Sequence, residues 1–219
     1  ADRLEAAEDF DLAVHDLIKE YMTKHQRIIF NGNGYAPEWV EEAKRRGLPN
    51  LPTMLDAVET LTTEKSIALF EKFGIFTQAE LESRKDVLYE TFAKTIHIEG
   101  KCMMEIAKKK LIPAIVFYAK ELSEAVIAAK NAGVSDRVQR DLLERVTALL
   151  EKMQDALVLL ESEMKIAEGM KDHKECALFY RDRVKVAMEA LREPADALEM
   201  ITDKEIWPFP TYGDLLFEV

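Results

Sequence analysis

Through the second half of the chain, apolar residues recur at steps of three, four and seven. That period lines side chains up on one face of an α-helix. One stripe runs Leu88, Phe92, Ile96, Met103, Ala107, Ala114, Tyr118, Leu122 and Ala125. A second runs Leu142, Val146, Leu149, Met153, Ala156, Leu160, Met164 and Ala167, and a third Ala177, Tyr180, Val184, Ala187 and Leu191. The stripes predict three long helices between Thr77 and Glu193. Gly133-Val134-Ser135-Asp136 separates the first two, with a glycine suited to the position after a helix end and a serine suited to the next N-cap. Gly169 separates the second and third. Connections this short set consecutive helices antiparallel, so that the stripes face each other.

Shorter helices precede these. Residues 1–7 are helical in composition, and Phe10, Val14, Leu17, Ile18 and Tyr21 predict a helix to about Gln26. Asn31-Gly32-Asn33-Gly34 predicts a tight turn with positive φ at its glycines. Pro37 suits the first turn of a helix over 38–46 that Gly47 stops. Two further short helices are expected, from Thr53 to about Leu61 and from Thr62 to about Phe73, the latter closed by Gly74. Thr77-Gln78-Ala79-Glu80 reads as a capping box opening the first long helix. Pro113 lies inside that helix and predicts a kink or break over residues 109–113. The residues around it, 111–117, are apolar almost all round and predict deep burial or an interface. Pro194 is expected to end the third helix, with a short helix over 195–201. Trp207-Pro208-Phe209-Pro210 cannot be helical, and the aromatic density of the tail predicts docking of Trp207, Phe209, Tyr212 and Leu216. The fold class is therefore all-α: a long antiparallel three-helix bundle preceded by shorter helices, with an irregular aromatic C-terminal tail. The expected segments are 1–76, 77–193 and 194–219.

Composition narrows the partners. The 219-residue chain is 32% charged and 48% hydrophobic, with a formal charge of -11, so it is globular rather than disordered and long enough for a substantial core. An acidic chain needs a local basic patch to hold nucleic acid. Lys108-Lys109-Lys110 is the best candidate, and without interleaved aromatics it reads as a solvated helix face. No nucleic-acid partner and no membrane association are expected, since no apolar run approaches a membrane span. Two cysteines, Cys102 and Cys176, make no disulfide framework and suit the cytoplasm. Ala1 leads directly into helical sequence without an initiator methionine, as in a fragment or a processed product.

Candidate chemistry is sparse. The glycines at 32 and 34 lack the Gly-Lys-Ser/Thr of a P-loop and the third glycine of a dinucleotide fold. If the first and third long helices pack together, His97, Cys102, His173 and Cys176 converge in principle. Zinc would need local ligand pairs that are absent here. No histidine has a glutamate three residues before it, which excludes the di-iron bundle pattern. His15 and His25 flank a helix without a companion acid or nucleophile. The acids pair with bases along helix faces, as Glu121 with Lys120 and Glu144 with Arg140. No catalytic, cofactor-binding or metal-binding residue is assigned.

Two segments carry a resemblance. Arg27-Ile28-Ile29-Phe30-Asn31-Gly32-Asn33-Gly34-Tyr35, with Glu38-Trp39-Val40-Glu41-Glu42-Ala43 and Arg46-Gly47-Leu48-Pro49-Asn50-Leu51, resembles the C-terminal part of type III glutamine synthetases. Ile206-Trp207-Pro208-Phe209-Pro210-Thr211-Tyr212-Gly213-Asp214-Leu215-Leu216-Phe217 is similar to the terminus of the same family. Between them, Ala57 to Leu81 resembles the shared glutamine-synthetase ending, a short helix before a glycine, then Ile75-Phe76-Thr77, then a helix. The resemblance implies a parent enzyme that joins ammonia to glutamate with ATP and a divalent metal (Mg or Mn), through a γ-glutamyl phosphate. It places the reacting groups in an upstream β-rich catalytic domain and none in this chain. The implied role is a structural and assembly region, inactive alone, with that domain and identical subunits of a ring-shaped homo-oligomer as partners. The alternative from another class is a free-standing acidic helical interaction module.

Overall fold

The structure, a computed structural model, describes residues 2–210 and 212–217, the side chain of Tyr212 excepted. The chain divides into two compact units, Ala1–Ala57 and Val58–Val219. Every regular element among the described residues is helical, so the fold is all-α. No helix among them is long and apolar enough to cross a membrane.

The first unit holds α1 (Asp2–Glu5), α2 (Phe10–Lys24), α3 (Pro37–Arg45) and α4 (Met54–Val58), the last running into the next unit. Asp9 caps α2 by accepting the Leu12 amide at 3.0 Å. Pro37 opens α3, and Gly47 follows it with φ 69°, as the glycine stop requires. The expected positive φ at Gly32 and Gly34 is not found: among the described glycines only Gly47, Gly74 and Gly133 adopt it. Gly32 is needed for space instead, because a Cβ there would lie 2.4 Å from the Phe30 ring. Phe30 stacks on Trp39 at 4.4 Å between centroids, and the Arg46 guanidinium lies 5.8 Å from both rings.

The second unit opens with a 3-10 turn (Glu59–Thr62) and α5 (Glu64–Lys72), which Gly74 ends at φ 63°. Thr77 and Glu80 form the predicted capping box. From there a first rod runs through α6 (Gln78–Ile106), a π-helical turn (Ala107–Leu111) and α7 (Ile112–Asn131). The second rod is α8 (Arg137–Glu168). The third comprises α9 (His173–Phe179), a second π turn (Tyr180–Val184) and α10 (Lys185–Glu199), and α11 (Tyr212–Phe217) lies near the end. Cross-links fix the directions. Lys101 meets Glu168 and Lys108 meets Glu161, so rods one and two are antiparallel. Glu163 meets Arg183, and the Cys176 thiol points at the Ala167 carbonyl, so rods two and three are antiparallel too.

The third stripe is buried at every position named from its spacing, and in the second Val146, Met153, Leu160, Met164 and Ala167 are buried. In the first, Ile96, Ala107 and Leu122 are buried as named, but its N-terminal part is displaced. Tyr89 and Ala93 are buried, whereas Leu88 and Phe92, one position earlier, are only half-buried. A helix face about 100° wide spans both lines, and spacing alone does not choose its centre.

The break expected at Pro113 is not found, although the backbone does leave α-helical geometry over Ala107–Leu111, and the stop expected at Pro194 needs correction. Pro113 does not break the first rod. The preceding turn widens to π, with the Ile112 amide donating to Ala107 O, and Pro113 falls in the first turn of α7, where its missing N–H is not needed. Pro194 does not end the third rod, which continues to Glu199. An interior proline costs about 3 kcal/mol. Pro194 and Leu198 are both buried here, and full burial of one leucine returns about 1.5–3 kcal/mol. Three smaller corrections follow. Asp136, not Ser135, occupies the N-cap of α8. Within 111–117 only Leu111 and Ile115 are buried, while Val116 and Phe117 are exposed. The tail is half-buried at Trp207 and Phe209, with Lys110 Nζ 5.2 Å from the Phe209 ring, but Leu216 is exposed and 212–217 is a short helix. The docking expected of the Tyr212 side chain lies outside the described residues.

Candidate functional site

Rods one and three run side by side at the start of the bundle, and the end of rod two closes the space between them. The result is a groove of about 240 Å³. α6 contributes Ala93 and His97, the last turn of α8 Ala167 and Glu168, and α9 His173 and Cys176. Asp172 starts α9 by accepting the Glu175 amide at 2.8 Å, which fixes where His173 and Cys176 fall.

Three of the four residues considered from sequence therefore do come together: His97, His173 and Cys176. Cys102 does not; it is exposed and outside the groove. Zinc chemistry does not follow. Among the described residues no three His, Cys, Asp or Glu side chains are placed to hold a metal ion. The Cys176 thiol is pushed up by burial, and further by the Asp172 charge, which disfavours the thiolate a metal would need.

His97 is held by a partner that sequence reading did not anticipate. Its Nδ1 lies 2.8 Å from Tyr180 Oη, with the rings edge-on at 6.1 Å. Tyr180 is 3% exposed, so its hydroxyl needs a hydrogen bond inside the protein. Burial, then the Cys176 and Glu168 charges, push the phenol up to about 12 and keep it neutral. His97 Nε2 lies 3.9 Å from Glu168 Oε1, beyond hydrogen-bond distance, and Lys101 Nζ is 3.6 Å from the same oxygen.

Two further polar clusters were missed. Glu59 accepts the Tyr89 hydroxyl and pairs with Lys174 at 2.5 Å and Lys85 at 3.4 Å. The Lys174 and Tyr89 hydrogen bonds hold its carboxyl down to about 2. The cluster ties the 3-10 turn to rods one and three. Glu163 on α8 is buried among apolar neighbours; Oε1 accepts Arg183 Nη2 at 2.5 Å, and Oε2 has no partner among the described residues. A signal for Glu163 did exist. It stands three residues after Leu160 and four before Ala167, on the apolar face. Tyr180 and His97 are 83 residues apart, and spacing gives no hint of their contact.

The remaining candidates behave as surface or turn. Lys108 pairs with Glu161, Lys109 with Glu105 at 2.6 Å, and Lys110 sits over Phe209. In the Asn-Gly segment, Asn33 Oδ1 accepts the Tyr35 amide at 3.0 Å. Arg46 donates to the carbonyls of Arg27 and Ile29 beside it.

The glutamine synthetase C-terminal domain model matches residues 13–130, and the chain belongs to that family. It is 38% identical over 208 residues to a glutamine synthetase of Butyrivibrio fibrisolvens, covering 94% of this chain and 30% of that protein. A type-3 glutamine synthetase of Dictyostelium discoideum is 31% identical over 211 residues, with 94% and 29% covered. A glutamine synthetase of Bacteroides fragilis is 29% identical over 213 residues, with 94% and 29% covered. The chain thus spans less than a third of the length of these relatives.

Proposed function

We propose that the chain is the helical C-terminal region of a type III glutamine synthetase and serves as a structural and assembly element of that enzyme. The carrying observation is the match along 94% of this chain to proteins of which it spans only 29–30%. The parent reaction is ATP-dependent ligation of ammonia to glutamate in the cytoplasm, with a divalent metal. The residues present do not fit that metal. The carboxylates are spread along helix faces, and no triad of donors converges among the described residues, so no step of the reaction is derived from this chain. Its partners are the catalytic domain and identical subunits in a ring-shaped oligomer. Segment 1–76 continues from the catalytic domain, 77–193 forms the bundle, and 194–219 docks. Exposed apolar residues support an assembly role: Phe10, Ile18 and Tyr21 on α2, and Val116 and Phe117 on α7.

Sequencing the encoding gene upstream of the Ala1 codon tests the reading. An open frame carrying acidic metal motifs and a glycine-rich nucleotide segment is the expected result. A start codon at or next to Ala1 would overturn it.

A further inference from the structure

The Asn-Gly segment between α2 and α3 has no part in the assembly role, and we propose that Asn33 is a site of spontaneous chemical modification, losing its side-chain amide as ammonia to become aspartate or isoaspartate. The reaction needs an asparagine amide carbon, a following backbone nitrogen that can reach it, and no side chain in the way. Asn31-Gly32 and Asn33-Gly34 both offer these in sequence, and all four residues are exposed. Their surroundings separate them.

At Asn33 the side chain is already folded back along the chain. Its Oδ1 accepts the Tyr35 amide at 3.0 Å, the two-residue reach of an Asx turn. The carboxamide therefore lies alongside the intervening Gly34 nitrogen. Among the described residues neither that nitrogen nor Asn33 Nδ2 makes a hydrogen bond, so nucleophile and leaving group are both untied. A Cβ at Gly34 would meet nothing within 4 Å, which leaves the backbone room to turn. Closing the ring costs the turn one exposed bond, from the Ala36 amide to the Asn33 carbonyl at 3.2 Å. Once hydroxide has taken its proton, Gly34 N bonds to Asn33 Cγ. The Tyr35 N–H holds the oxyanion that develops on Oδ1, and Nδ2 leaves with a proton as ammonia. Water then opens the five-membered imide. Opening at the backbone carbonyl gives isoaspartate, and at the side-chain carbonyl aspartate. The net change is amide plus water to acid plus ammonia, with no further reactant.

At Asn31 the same steps are hindered. Gly32 lies against the Phe30 ring, where a Cβ would come within 2.4 Å. That ring is stacked on Trp39, with the Arg46 guanidinium 5.8 Å from both. Closing an imide at Asn31 would swing Gly32 into a ring that is itself held. Among the described residues no amide two positions on reaches the Asn31 side chain.

The inference does not depend on the assembly reading and is tested on the whole 219-residue chain. The protein is kept in mildly alkaline buffer at physiological temperature. Mass spectrometry of the tryptic fragment 28–44, fragmented between the two asparagines, places the new acid, and an isoaspartate-specific methyltransferase counts isoaspartate. In the folded chain Asn33 should convert at least roughly tenfold faster than Asn31, within the ~10²-fold that a misplacement of about 1 Å can cost. In denaturing urea the two are equivalent exposed dipeptides, and their rates should converge. Gly34 has no positive φ and open space around it, so Gly34→Ala folds. It should slow Asn33 at least roughly tenfold by crowding the attacking nitrogen and leave Asn31 unchanged. No acid at Asn33 while the urea sample converts, conversion of Asn31 as fast or faster in the folded chain, a preference for Asn33 that persists in urea, or an unchanged rate in Gly34→Ala would each overturn the proposal.

Discussion

Replacing Glu163 by leucine should stabilise the bundle. Glu163 is 4% exposed, and its Oε2 has no hydrogen-bond partner among the described residues. A buried acceptor left unmade costs about 1–3 kcal/mol. Against this stands the pair with Arg183, whose side chain is 61% exposed and so contributes through well-screened solvent. Leucine is of similar size and lies between Leu160 and Ala167 on the same face, so it adds apolar contact without a polar requirement. Buried ion pairs replaced by apolar residues often gain about 1–4 kcal/mol. The half-exposed partner places the expectation for E163L at the lower end, about 1–2 kcal/mol. For a chain of this size each kcal/mol moves Tm by about 2–4 °C. Arg183→Met should move stability the other way, because it leaves the carboxylate buried and unpaired. E163Q, which keeps shape and removes charge, should lie between wild type and E163L. Urea unfolding followed by circular dichroism measures all three, with unchanged m-values as the check that only stability has changed. A loss of more than about 1 kcal/mol in E163L, the typical net worth of a made hydrogen bond, would show that both oxygens are satisfied and refute the reasoning.

Three further outcomes are expected. Met153 is fully buried and Leu149 half-buried, so Met153→Ala should cost about 2–5 kcal/mol in urea unfolding and Leu149→Ala less; equal costs would misplace the centre of the stripe. Glu59 is held down to about 2 against an ordinary carboxyl value near 4.5. The stability it adds is therefore present above the ordinary value and is lost as pH falls through about 2. Glu59→Gln should flatten the stability–pH curve across that window, by a modest amount because the side chain is 41% exposed; an unchanged acid limb would contradict the pairing. Calorimetric titration of the chain with ATP and Mg²⁺ should give no saturable heat tighter than about 0.1 mM, a range common for enzyme substrates. Such heat would show a nucleotide site in this chain.

What the sequence revealed and what it hid divide along physical lines. Local rules worked where one interaction decides the outcome: the Thr77–Glu80 box, Gly74 and Gly133 after helix ends, and the third stripe from Ala177 to Leu191. They failed where tertiary packing competes with a local preference. Pro194 sits within a helix because Leu198 beyond it is buried, and Gly32 is glycine because a ring lies over it, not because of its own φ. For the groove, His97, His173 and Cys176 were recognisable as candidates, and packing of rods one and three was the correct condition for their meeting. Tyr180 was read only as an apolar stripe residue. Its hydroxyl is what orients His97, and that pairing is set by the relative heights of two helices, which spacing along one chain does not encode.

The widened turn at Ala107–Leu111 gives the first rod two phases. Its residues form one 54-residue helix, about 80 Å long at 1.5 Å per residue. α6 packs mainly on α9, and α7 on α8. A uniform α-helix would carry one facing along its whole length. The extra residue of the π turn rotates everything beyond it by about 100°. One backbone thus works as two differently keyed teeth on a single shaft. Length and keying are then separable: adding whole turns on either side of Lys108–Lys110 alters reach, whereas removing one of those lysines would re-key one half against the other. The three-lysine turn, despite its charge, acts through its residue count.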